Sequence, residues 1–146
     1  MKNIRHWIPS LAWMSVIFLF STDLFSINQT ASWVEKLIHY LFPSFSNETV
    51  VAIHVVIRKH CHVLAYAMLA LCYFNGFTNA FTKPVQIKMG VLVFMMCFLY
   101  ACSDEWHQSF SQARTSSFGD VLYDSLGALL SVCFIVTRVH FLRPRS

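Results

Sequence analysis

Four long apolar segments with few charges constrain the fold more than any other feature of this chain. They cover about residues 6–22, 57–76, 86–103 and 118–138. A bilayer core is about 30 Å thick, and about 20 apolar residues in a helix cross it. No strand-like alternation is sustained between these segments, and a helix satisfies its own backbone hydrogen bonds in lipid. The pattern therefore predicts an all-α integral membrane bundle of four transmembrane helices.

Composition and length agree with a single membrane domain. Hydrophobic residues make up 56% of the chain and charged residues 12%, whereas soluble domains have roughly 25% charged residues. With 146 residues the chain has room for about four spans and their connections. We therefore treat residues 1–146 as one domain.

The connection between the first two predicted spans contains an amphipathic stretch. Its apolar residues recur at helical spacing, at Trp33, Val34, Leu37, Ile38, Leu41 and Phe42. Such a stripe is typical of a helix that lies in the headgroup region or caps a bundle. We predict an interfacial helix here, ended by Pro43.

The distribution of charge predicts the orientation. If the N-terminus is cytoplasmic and four helices cross, all seven acids fall on the outer side. The inner side then carries seven cations and no acid, namely Lys2, Arg5, Lys83, Lys88, Arg138, Arg143 and Arg145. An excess of Lys and Arg on the cytoplasmic side is what orients membrane helices. We expect both termini in the cytoplasm, and we expect no nucleic-acid partner for these orienting charges.

A polar stripe enters the second predicted span from the outer side. Arg58, His62 and Tyr66 are spaced four apart and so share one helix face, with Lys59 beside it. Long cationic side chains reach the interface without any further role. A histidine one turn deeper is unfavourable in lipid, so His62 must face the bundle interior or water.

The last two spans bring acids to the same side of the membrane. Asp104 and Gln108 share a face at the end of the third span, next to Glu105, and Asp120 opens the fourth. Asp120 near a helix start is also explained by capping. Asp124 lies one turn deeper, where a carboxylate needs a cation or a donor. The candidate partners of Asp124 are Arg58, Lys59, His62 and Arg114.

These residues fit three functions. A site that binds an anionic lipid or lipid-linked precursor headgroup would use Arg58, Lys59, His62, Tyr66, Gln108, Arg114, Asp120 and Asp124. A hydrolase or transferase would use Asp104, Glu105 and His62 for acid-base catalysis. Alternatively, the polar groups tie helices together or bind a protein partner. No H-E-x-x-H or similar motif is present, and we expect neither a metal nor a cofactor.

Two half-motifs give the chain a family resemblance. Arg58-Lys59-x-x-His62-x-x-x-Tyr66 is followed by Asp104-Glu105-x-x-Gln108, and then by Arg114, Ser117, Asp120 and Gly127. In this order the chain resembles the VanZ-like family of small integral membrane proteins. Two positions depart from the family pattern: Asp124 stands where asparagine is more frequent, and Ser111-Gln112-Ala113 stands where Pro-Gly usually precedes the arginine.

The resemblance implies a location and a context. The family namesake is associated with low-level resistance to teicoplanin, a lipoglycopeptide that acts outside the cell. An outward-facing site in the bacterial inner (cytoplasmic) membrane agrees with that association. We therefore expect a cell-envelope ligand, with antibiotic resistance as one context.

Overall fold

The computed structural model describes residues 4–22, 27–81, 86–110 and 117–142, and every element in these ranges is helical. A short 3-10 helix, Ile4–Trp7, leads into the first of five α-helices. These are α1 Ile8–Ser21, α2 Ile27–Leu41, α3 Asn47–Phe81, α4 Ile87–Gln108 and α5 Phe118–Leu142. The all-α prediction is confirmed for these residues.

The predicted number of spans is wrong. Within the described ranges, three helices are long and apolar enough to cross a membrane, Asn47–Ala80, Ile87–Gln108 and Phe118–Phe141, whereas four were expected. Helix α1 has 14 residues and is about 21 Å long at 1.5 Å per residue, short of the roughly 30 Å bilayer core. Pro9 lies in its first turn, where a missing N–H is tolerated. Thr22 ends it by donating from Oγ1 to the Leu19 carbonyl.

Helix α3 is longer than the sequence predicts. It begins at Asn47, ten residues before the expected start, and its 35 residues extend about 52 Å. Ser46 starts the helix, because its Oγ accepts a hydrogen bond from the Thr49 N–H. The extra turns pack against α2, where Ile38 and Val50 are buried.

The predicted amphipathic helix between α1 and α3 is confirmed and corresponds to α2. It packs on α3 alone among the described elements. Trp33 and Tyr40, seven residues apart, are largely exposed, as expected of a face in contact with lipid headgroups. Its location at the membrane interface stays a prediction.

Helices α3, α4 and α5 form the core of the bundle. Leu69, Val93 and Ala128, one from each helix, are fully buried. Helices α3 and α5 are in close backbone contact at Gly127, where a Cβ atom would lie 2.0 Å from the Val63 carbonyl oxygen. Only a residue without a side chain allows this backbone contact. The contact sets the register in which the polar residues of α3 and α5 meet.

Helix α1 is tied to this core along its length. Trp13 donates from Nε1 to the Ala65 carbonyl at 2.8 Å. The hydroxyl of Tyr100 donates to the Met14 carbonyl at 2.7 Å. These bonds hold α1 against α3 and α4, so that its last residue, Ser21, reaches the polar end of α4.

The first and last described residues lie at the opposite end of the bundle. Trp7 packs edge-on against Phe77, with ring centroids 4.8 Å apart. Val136 of α5 lies against Gly90 in the first turn of α4, where a Cβ would be 3.0 Å from a Val136 methyl. Residues near the first and last described positions therefore lie at the same end of the bundle. Which side faces the cytoplasm stays a prediction.

Candidate functional site

A histidine–aspartate pair joins α3 to α5 at the polar end of the bundle. His62 Nδ1 lies 3.0 Å from Asp124 Oδ1. The Asp124 side chain is 2% exposed and the His62 side chain 20%. Of the candidate partners that the sequence offered for Asp124, the structure brings His62 into contact. A buried carboxylate needs such a donor, because an unpaired one is strongly unfavourable.

A second cluster joins α1 to α4. Ser21 Oγ donates to Asp104 Oδ2 at 2.6 Å, and Gln108 Nε2 donates to the same oxygen at 3.0 Å. Gln108 Nε2 also lies 3.2 Å from Ser21 Oγ. All three side chains are buried. The predicted shared face of Asp104 and Gln108 is present, and Ser21 is the member that sequence reasoning missed.

The sequence contains only a weak indication that Ser21 bonds to the acids of α4. Ser21 and Thr22 are adjacent hydroxyl residues at the end of an apolar run, and such residues are as easily explained by their own helix end. The role of Ser21 depends on the packing of α1 against α4, which spacing within α1 does not reveal.

Glu105 caps the start of α5. Its Oε1 accepts a hydrogen bond from the Ser117 backbone N–H. Ser117 Oγ in turn accepts from the Gly119 N–H at 3.1 Å. The carboxylate therefore lies at the positive end of the helix dipole, which favours a negative charge. This placement explains why Glu105 is buried.

Arg58 and Lys59 lie about one helical turn before His62 on α3, and Asp120 lies one turn before Asp124 on α5. We call these three residues the mouth of the site. Lys59 places Nζ 4.7 Å from the ring centroid of Tyr123, a cation–π contact that holds it toward α5. Arg58 is half-buried and interacts electrostatically with His62 one turn deeper. Asp120, half-buried in the first turn of α5, interacts with His62 as well. The mouth of the site thus contains both signs of charge.

Tyr66 lies below His62 on the same face of α3. It is fully buried, and its hydroxyl has no hydrogen-bond partner in the described part of the chain. Asp104 and Asp124 both interact electrostatically with it, so Tyr66 lies near both clusters. Its ring centroid is 6.2 Å from that of Tyr100.

The predicted catalytic set is divided by this geometry. His62 contacts Asp124, whereas Asp104 and Glu105 bond to other groups. Their acid-base role stays a prediction. The predicted ligand-binding residue Arg114 lies outside the described residues. In the described part of the chain, no group of three His, Cys, Asp or Glu side chains is placed to hold a metal ion.

Ser21→Ala is expected to weaken the bundle at the junction of α1 and α4. It removes a hydrogen bond to a buried carboxylate, a class of bond that contributes about 1.5–3 kcal/mol. Ser15→Ala is the matched control, since Ser15 Oγ donates only to Leu11 of its own helix. The measurement is the thermal unfolding midpoint in detergent. Equal midpoints for the two variants would contradict a structural role for Ser21.

Comparison with known proteins gives one match. The family model described as VanZ/LLP1 matches residues 6–140, which covers both clusters and the cations Arg58 and Lys59. Searches of curated proteins and of solved structures gave no match.

Proposed function

The chain belongs to the VanZ/LLP1 family, and we propose that its polar end binds the anionic headgroup of a membrane lipid or of a lipid-linked envelope precursor. Three apolar helices support a membrane location. Headgroups lie at the ends of membrane-spanning helices, and the site includes the end of α4 and the start of α5. The observation that carries the proposal is the pair of half-buried cations, Arg58 and Lys59, next to the partly buried His62–Asp124 pair.

Arg58 is the group best suited to the anionic part of the ligand. It lies one turn from His62, toward the mouth of the site. A guanidinium group binds two oxygens of a phosphate or carboxylate at once. Because Arg58 is partly withdrawn from solvent, its attraction for an anion is screened less than that of an exposed cation. Lys59 adds a second positive charge and is held in place by Tyr123.

The buried acids stabilise the helices that form the site, and their charges do not occupy the proposed position of the anion. Asp104 and Glu105 accept hydrogen bonds from Ser21 and from the start of α5, and Asp124 is bonded to His62. These bonds fix the helices that carry the cations. They also hold the carboxylates inside the bundle, away from an anion at the mouth.

The proposal includes a location. The excess of Lys and Arg at the end of the bundle that carries Arg5, Lys88 and Arg138 favours the cytoplasm for that end, and the site is at the other end. It would then face the outer leaflet of a bacterial cytoplasmic membrane. A connection to glycopeptide resistance rests on the family resemblance alone.

The double variant Arg58→Gln, Lys59→Gln is expected to lose binding of phosphatidylglycerol. We would measure lipid binding to the purified protein by native mass spectrometry, with phosphatidylcholine as the reference lipid. Each charged hydrogen bond contributes about 1.5–3 kcal/mol, so the loss should exceed roughly tenfold. Phosphatidylcholine binding should change little.

Lys88→Gln is the matched control for this experiment. Lys88 is an exposed cation in the first turn of α4, at the end opposite the site. Its removal should leave phosphatidylglycerol binding as in the wild type. If the double variant binds phosphatidylglycerol as the wild type does, the headgroup site is refuted, and the polar cluster is better explained as a tie between helices.

A further inference from the structure

The hydroxyl of Tyr66 is a polar group that the headgroup proposal does not yet use. The residue is fully buried, and the hydroxyl makes no hydrogen bond to any residue that the structure describes. More than nine in ten buried polar groups in native proteins are bonded, and an unmet one costs roughly 1–3 kcal/mol. A group from outside the chain is therefore expected to bind here.

The position of Tyr66 shows where such a group must come from. Arg58, His62 and Tyr66 follow one another at four-residue spacing on α3, and the stripe spans about 12 Å. A ligand with its anionic group at Arg58 therefore has Tyr66 at the bottom of the same face. Because Tyr66 has no exposed surface, a covering side chain must move to admit it.

The neighbours of Tyr66 restrict the chemistry of this group. The phenolic hydrogen needs an acceptor, and it reaches neither carboxylate in the structure. Asp104 and Asp124 are close enough to interact with Tyr66 electrostatically, so a second anion beside it would be repelled. An ammonium group offers no acceptor. An alcohol hydroxyl accepts from Tyr66 and donates to a carboxylate at the same time.

We propose that Tyr66 binds a hydroxyl group of the headgroup, so that the site selects anionic lipids whose headgroup is a polyol, such as glycerol or a sugar. This inference rests on the proposed headgroup function and adds the class of ligand. Arg58 then binds the phosphate, and the Tyr66 hydroxyl donates a hydrogen bond to a hydroxyl group of the same headgroup.

The test compares phosphatidylglycerol with phosphatidylethanol. Both lipids have one phosphodiester charge, and the two are used with identical acyl chains, so they differ in the hydroxyls of the headgroup. We expect the wild-type protein to bind phosphatidylglycerol more tightly by roughly three- to tenfold, the effect of one hydrogen bond. Tyr66→Phe should bind both lipids equally, while its unfolding midpoint without lipid stays the same or rises.

Tyr100→Phe is the matched control. Its ring neighbours Tyr66, but its hydroxyl already donates to Met14, so this variant should keep the preference for phosphatidylglycerol.

The outcomes separate the two proposals. If the wild type binds both lipids equally and through Arg58 and Lys59, the headgroup site stands and the polyol inference falls. If Tyr66→Phe keeps the preference, the hydroxyl holds only a buried water, and the inference also falls. If binding of neither lipid depends on Arg58 and Lys59, both proposals fall.

Discussion

Gly127→Ala is expected to prevent the bundle from reaching its native packing. The added Cβ would lie 2.0 Å from the Val63 carbonyl oxygen and 2.8 Å from the carbonyl carbon. These are backbone atoms of a helix, which do not rotate away as a side chain does. Overpacking of a core costs about 1–3 kcal/mol when side chains adjust. Because two helices must separate here, we expect a loss of about 3 kcal/mol or more.

Two other glycines provide a graded control. A Cβ at Gly119 would meet only the Ser117 hydroxyl, at 3.2 Å, and one at Gly90 would meet valine methyls of α5 at 3.0 and 3.1 Å. Alanine favours a helix over glycine by about 1 kcal/mol, so Gly119→Ala should be neutral or stabilising. The change in stability caused by Gly90→Ala should lie between those caused by Gly119→Ala and Gly127→Ala.

The measurement for this series is the unfolding midpoint in detergent, together with the yield of monodisperse protein. A midpoint for Gly127→Ala equal to that of Gly119→Ala would refute the close crossing of α3 and α5. Since that crossing holds His62 beside Asp124, Gly127→Ala should also reduce lipid binding in any protein that remains folded.

His62→Ala is expected to destabilise the protein more than Asp124→Ala. Removing His62 leaves Asp124, which is 2% exposed, as a buried charge without its donor, and such a loss costs about 3–5 kcal/mol. Removing Asp124 leaves an imidazole that is 20% exposed. A histidine in that position can stay neutral and hydrated, so the cost is smaller.

A double-mutant cycle tests this asymmetry. The free energy of unfolding is measured for both single variants and for the double variant His62→Ala, Asp124→Ala. The double variant should be more stable than His62→Ala alone, because no stranded carboxylate remains. Additive losses would show that the 3.0 Å contact contributes little. A larger loss for Asp124→Ala than for His62→Ala would contradict the predicted asymmetry.

The local features of the fold follow from the sequence. Helical period and hydrophobicity depend on neighbours along the chain, so the apolar segments of α3, α4 and α5 were found without tertiary information. For the same reason, the shared face of Arg58, His62 and Tyr66 was predictable from their spacing.

The helix boundaries were less predictable. Hydropathy alone extends the first segment from 6 to 22, whereas α1 begins at Ile8. Hydropathy also starts α3 at 57, although the helix begins at Asn47. In both cases a short-range feature decides the boundary: Pro9 fits only the first turn of α1, and Ser46 caps α3.

The tertiary structure decided which side chains meet. Spacing alone does not favour His62 over Arg58 as the partner of Asp124, since both lie on the same face of α3. That choice follows from the register of α3 against α5, which the contact of Gly127 with Val63 sets. The bond from Ser21 to Asp104 depends in the same way on the packing of α1 against α4. The sequence therefore determined the helices and their polar faces. The hydrogen-bond partners of the polar side chains were decided by how helices distant in the chain pack together. Hydrogen bonds form over about 3 Å, and residue spacing along one helix does not position another helix.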